Sequence, residues 1–205
     1  LRVKIRDEAC FSDAAPVTAH DVKFTFDAVM NPEMDTERFR SVLNVIAGVE
    51  VISDKVCEFR FLGPKFSNKS AALTMAILPA HVYSRLTASQ FNSATGFLMG
   101  SGAYRMETVD LASQWAPPAD VVLVRNENYW GARQGPDRLR FRIIQNYVAS
   151  LTDFENGGSH MMRATPEQFR EKSEDESFVR DNHLLAWSNM QGGYSFIVWN
   201  NAERK

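Results

Sequence analysis

The chain has 205 residues, 44% of them apolar and 23% charged, with a formal net charge of −2. That is the composition of an ordinary globular protein long enough for one large domain or two small ones. The charge balance, with no Lys/Arg run and no RNA-binding aromatic signature, argues against a nucleic-acid partner. No apolar run reaches the roughly 18–20 residues that a membrane-spanning helix needs. Cys10 and Cys57 lie on separate strand-like segments without CxxC spacing, so they carry no metal or redox signature. A disulfide fits an oxidising compartment, and two buried free thiols fit the residue's usual habit.

Leu1, Val3 and Ile5 alternate with Arg2, Lys4 and Arg6, the period of a half-buried strand. The chain opens directly in this strand, without the charged segment and apolar run of a secretory leader, which points to a chain cut from something longer. Ser12, Asp13, Ala14, Ala15 and Pro16 supply a turn, and Thr18 with Asp21 three residues on forms a capping-box pattern. Val22, Phe26 and Val29 or Met30 then recur at helical spacing. Asn31-Pro32 stops this helix. After a polar stretch, strands are expected over residues 45–52 and 56–62, turning at Ser53, Asp54 and Lys55, with Cys57, Phe59 and Phe61 on the apolar face of the second.

A helix is expected over residues 69–75. From Thr87 to Gly102 the sequence turns polar and rich in Ser and Gly, and a boundary between substructures is placed there. Strands follow over residues 103–109, 121–125 and 138–144, with a loop built around Pro117-Pro118. A helix over residues 146–156 closes on Gly157-Gly158, and Thr165, Pro166 and Gln168 open another. Residues 184–187 and 194–199 read as the final strands.

Catalytic and metal chemistry find little support. His20, His81, His160 and His183 show no HxH, HxxxH or HExxH spacing, and neither GxSxG nor SxxK occurs. The acidic run at residues 171–176 lacks EF-hand spacing and reads as a solvated helix end or loop. The reading is therefore a non-enzyme with no metal and no cofactor. Tyr129 and Trp130, flanked by turn residues, are expected to anchor a loop rather than stack on a ligand.

The wording of several segments says more. FSDAAPVTAHDVKFTF resembles the FSDGxPVTAxDVxFSF signature of family 5 extracellular solute-binding proteins of ABC transporters, the oligopeptide, dipeptide and nickel type. LPAHVY, GSGAYR, VLVRNENYWG, LTDFENGG and SFIVWNN resemble further segments of that family in the same order, across essentially the whole chain. The MQG at residues 190–192 is similar to members importing microcin-like or longer peptides. Ala14 stands where the family usually has glycine, Ala103 where it has proline, and His160 where aspartate is common.

The resemblance implies a mixed α/β, periplasmic-binding-protein-II-like fold, of which this chain is part of one lobe of two. It implies a first-lobe subdomain over residues 1–95, a mixed-sheet portion over 96–193, and a crossover strand over 194–205. It implies an extended peptide ligand, an ABC permease partner, contact with the membrane only through that transporter, a monomer, and a periplasmic or extracellular location. Gln191, Gly193, Tyr194 and Phe196 are the ligand-facing residues it implies, the glycine allowing close backbone approach. The alternatives are a nickel, haem or oligosaccharide carrier on the same scaffold, or a sensory or interaction domain that has lost transport.

Overall fold

A computed structural model describes residues 1–94, 98–108, 110, 113–132 and 135–186. The chain divides into two compact units, Leu1–Ile143 and Ile144–Lys205. Both Cys10 and Cys57 are free thiols. Among the described residues no helix is long and apolar enough to cross a membrane.

The first unit opens with β1 (Arg2–Lys4), α1 (Ala19–Met30), α2 (Glu37–Leu43), β2 (Ile46–Ser53) and β3 (Val56–Phe61). The three strands form an antiparallel sheet in the order β1-β3-β2. The expected alternation decides its faces. Cys57 and Phe59 on β3, opposite Val51 and Val49 on β2, turn inward to meet Val22, Phe26 and Val29 of α1. The other face carries Glu58 and Glu50 directly opposite each other, a like-charge pair that is unfavourable alone. Arg2 pairs with Glu58 and Arg60 with Glu50, which offsets it.

Polar groups close both ends of α1. The Asp21 carboxylate accepts from the Thr18 amide at 2.8 Å and the Thr18 hydroxyl at 2.7 Å, as the capping pattern predicts. The Ala19 amide donates to the Asp54 carbonyl in the β2–β3 turn. At the other end Arg40 of α2 donates to the carbonyls of Val29, Asn31 and Met34. A guanidinium there satisfies orphaned acceptors and suits the negative end of the helix.

Three short helices follow: α3 (Asn68–Leu73), α4 (Ala80–Tyr83) and α5 (Ala88–Ser93). Then β4 (Tyr104–Met106), β5 (Val121–Arg125) and β6 (Arg138–Phe141) make a second antiparallel sheet in the order β4-β5-β6. Every residue of β5 is half-buried, and ion pairs join the strands and their flanks: Arg138 with Glu107, Arg140 with Asp120, Arg125 with Asp137. The Ile143 amide and then Arg140 hold the Asp120 carboxyl below its ordinary value.

The second unit contains α6 (Tyr147–Glu155), α7 (Pro166–Ser173) and α8 (Glu176–Asp181). Asn146 caps α6 through the Ala149 amide, and Gly157, at φ 73°, ends it in the left-handed region that favours glycine. Thr165 and Gln168 form the expected capping box on α7. Lys172 pairs with Glu155 and lies over the Phe178 ring.

Four helices escape the sequence reading, the single turn of α4 within LPAHVY among them. RFRSVL looked like the approach to a strand, yet it forms α2, whose one buried side chain is Leu43. The polar stretch after Thr87 holds α5, opened by a capping box between Thr87 and Gln90. The end of the acidic run becomes the start of α8, capped by Asp175. Each is only one or two turns long, too short for hydrophobic periodicity to give a signal. Residues 184–186 carry no regular element, and the rest of the two final expected strands lies outside the described residues.

Candidate functional site

Four of the family-like segments, all in the first unit, converge. Phe11, wholly buried, leads into a turn in which the Ala14 amide donates to the Phe11 carbonyl and the Ala15 amide to the Asp13 carboxylate at 3.0 Å. Ala14 sits at φ 71°. The family's glycine adopts that conformation without penalty, whereas an alanine Cβ crowds the following carbonyl.

One side of this turn is braced to LPAHVY. His81 Nε2 lies 2.7 Å from an Asp13 carboxylate oxygen, and its ring is tilted against Phe11 at 5.9 Å. Burial pushes the Asp13 carboxyl up, but the hydrogen bonds from His81 and Ala15 outweigh it and hold the group below its ordinary value. From α1, the second Asp21 carboxylate oxygen accepts from the Ala80 amide at 2.8 Å, and the Thr25 hydroxyl accepts from the Leu78 amide at 2.8 Å. Asp21 and Thr25 are both buried. Read in sequence, Asp21 is a helix cap; in the fold it also holds a segment 59 residues away. No local pattern encodes that second bond.

The other side of the turn meets GSGAYR and RNENYWG. The Ser12 amide donates to the Gly100 carbonyl at 2.9 Å, Asn128 donates to the Ser12 carbonyl at 3.1 Å, and the Cys10 thiol donates to the Asn128 carbonyl at 2.8 Å. Asn126, almost wholly buried, donates to the Gly102 carbonyl at 2.8 Å and accepts from the Asn128 amide. The Arg6 guanidinium lies over the Trp130 ring at 5.1 Å, and Tyr129 packs on Trp130 at 5.3 Å. These aromatics anchor their loop, as expected.

A small cavity of about 220 Å³ lies where these segments meet, walled by Ser12, Asp13, Arg105, Gln114, Glu127 and Asn128 among others. It offers hydrogen-bond donors and acceptors over an apolar floor at Met106. It has neither a nucleophile–base pair nor a metal-ligand set, and no group of three His, Cys, Asp or Glu suited to a metal occurs among the described residues. The motifs thus build a scaffold corner. Gln191, Gly193, Tyr194 and Phe196 lie outside the described residues.

Residues 1–205 match the family model described as bacterial extracellular solute-binding proteins, family 5 middle. The chain belongs to this family. Its members are binding proteins rather than enzymes, and the mixed α/β fold is the periplasmic-binding-protein-II-like fold of part of one lobe. The chain is 24% identical over 205 residues to the oligopeptide-binding protein AppA of Bacillus subtilis, covering 97% of this chain and 35% of that protein. It is 32% identical over 136 residues to the peptidoglycan-binding protein YepA of Agrobacterium fabrum, covering 64% of this chain and 20% of that one. The chain therefore spans about a fifth to a third of the curated relatives it matches.

Among solved structures, NikZ from Campylobacter jejuni in complex with Ni(L-His) matches with a TM-score of 0.73 at 20% identity, covering 85% of this chain and 34% of NikZ. B. subtilis AppA in complex with a nonapeptide matches with a TM-score of 0.71 at 21% identity, covering 85% of this chain and 34% of AppA. At these identities the likeness speaks for the fold alone.

Proposed function

We propose that this chain is part of the substrate-binding component of an ABC importer that holds an extended peptide in a cleft between two lobes. The observation that carries the reading is the family match over residues 1–205, together with a curated relative named as oligopeptide-binding that aligns over 97% of the chain. In such a cleft, main-chain hydrogen bonds give affinity for any peptide and roomy pockets accept varied side chains. Hinge closure buries the ligand and presents a closed shape to the permease. Residues 1–95 and 96–193 form two portions of the first lobe, and residues 194–205 cross toward the second. Gln191, Gly193, Tyr194 and Phe196 line the cleft beside that crossing. The protein acts as a monomer in the periplasm or outside the cell.

A second reading, a nickel carrier on the same scaffold, is favoured by the likeness to NikZ, whose structure holds Ni(L-His). Calorimetry separates the two. A protein of the relatives' full length should bind a mixed peptide pool, and these 205 residues alone should bind it weakly because half the cleft is missing. Tight peptide binding by the 205 residues would refute the two-lobe account. Binding of Ni(L-His) but of no peptide would favour the carrier.

A further inference from the structure

The turn at residues 11–16 is a joint within the first unit. The chain enters it from β1 and leaves it into α1, so it belongs to the first sheet and its helix. The same turn holds the loops that flank the second sheet, since the Ser12 amide donates to the Gly100 carbonyl and Asn128 donates to the Ser12 carbonyl. The two sheets share no strand pairing, so bonds of this kind join them. Asp13 sets the turn: one carboxylate oxygen accepts from the Ala15 amide at 3.0 Å, and the other lies 2.7 Å from His81 Nε2. The first contact is local, and the second ties the turn to α4, 68 residues on. Wholly buried Phe11 stands against the imidazole at 5.9 Å, and the Asp21 carboxylate holds the neighbouring Ala80 amide, so both the ring and the backbone of His81 are held in place.

The contact between Asp13 and His81 changes character with one proton. Histidine is the side chain that ordinarily changes charge between about pH 5 and 8. A neutral imidazole donates an ordinary hydrogen bond to a carboxylate, whereas an imidazolium donates a charge-assisted one, roughly twice as strong. Burial pushes the Asp13 carboxyl up, but the bonds from His81 and Ala15 outweigh it, so Asp13 stays charged across that range. The neighbouring charges do not compete for it. Asp21 is occupied by the Thr18 and Ala80 amides. Arg105 and Glu127 line the small cavity that Asp13 also walls, and Arg85 lies just beyond α4. Neither arginine pairs with Asp13 among the described residues, and His81 is the charge that acts on it.

We propose that Asp13 and His81 form a proton-operated latch on this joint: the imidazolium draws the turn against α4, and loss of its proton leaves the turn freer to move with the loops of the second sheet. The stabilisation is present below the histidine range, down to where the Asp13 carboxyl takes up its own proton, and it falls as pH rises through the histidine range. This goes beyond the peptide-binding reading and does not rest on it, because the latch is internal to the first unit.

A double-mutant cycle tests it, with Asp13→Asn, His81→Gln and the two combined, read as urea unfolding at pH 5.5 and pH 8.5. Both replacements can still hydrogen-bond, so the Ala15 amide keeps an acceptor. The coupling between the two positions, expressed in the unfolding equilibrium constant, should be about threefold to fivefold larger at pH 5.5, a modest factor because the pair is partly exposed. Hydrogen exchange locates the effect. Protection of the wild-type Ser12 amide, corrected for the intrinsic pH dependence of exchange, should fall by a similar factor between pH 5.5 and pH 8.5, and in His81→Gln it should not change. Equal coupling at the two pH values, or none at either, would overturn the proposal. So would Ser12 protection that responds to pH as strongly in His81→Gln as in the wild type. Should a variant fail to fold, the wild type alone decides, because Ser12 protection that is the same at both pH values refutes the latch. Neither readout involves a ligand, so the outcome is independent of the peptide reading.

Discussion

The two sheets of the first unit are held in different ways. In the first, α1 covers one face, and the alternation along β2 and β3 resolves into a buried row at Val49, Cys57 and Phe59 and a charged row at Glu50, Glu58 and Arg60. In the second, no residue of β5 is fully buried, and Met106 of β4 is the one buried side chain that its three strands supply. Ion pairs among exposed groups and loop hydrogen bonds lace its edges instead. Exposed pairs contribute little to stability, whereas a buried aromatic contributes several kcal/mol. The first sheet is therefore a core, and the second is a platform that depends on the loops packed around it.

The largest expected effect tests that contrast directly. Phe26→Ala should cost about 3–5 kcal/mol in urea unfolding, because it empties the space between α1 and the sheet. Leu123→Ala at half-buried β5 should cost only about 1 kcal/mol, since most of its loss is surface already in reach of water. Similar losses at the two sites would break the comparison.

A smaller effect belongs to the brace. Asp21→Ala strips the half-buried Thr18 and Ala80 amides of their acceptor and should cost about 2 kcal/mol in the same measurement, because two donors lose their partner at once. A loss under about 1 kcal/mol would mean that Asp21 acts as a helix cap alone.

The smallest effect has the opposite sign. Ala14→Gly should raise stability by about 0.5–1 kcal/mol, read as a higher thermal midpoint, because glycine accepts φ 71° without Cβ strain. A lower midpoint would show that the turn has relaxed around alanine and that the greater freedom of glycine in the unfolded chain prevails.

Legibility in the sequence follows the same division. The first sheet and α1 could be read because one face of each is buried, and burial of one face imprints period 2 or period 3.6 on the chain. The caps at Thr18 and Thr165 could be read because a cap is a bond between residues at most a few positions apart. Helices α2, α5 and α8 were opaque because they are short and mostly solvent-facing, so tertiary contacts rather than periodicity hold them. The family segments were legible as wording. Their physical role was not, since Asp13 with His81, Asp21 with Ala80 and Cys10 with Asn128 join positions 59 to 118 residues apart.

The sequence by itself determined the elements with one buried face, the capped helix starts and the family, because each is written in neighbouring residues. Tertiary structure alone decided that the most recognisable segment is a brace between two distant loops. It also decided that Phe39, Val42, Leu62 and Phe66 remain in water while similar side chains such as Phe26 and Val29 are buried. Hydrophobic residues state a preference for burial, and the number of places a fold can offer settles which of them are satisfied.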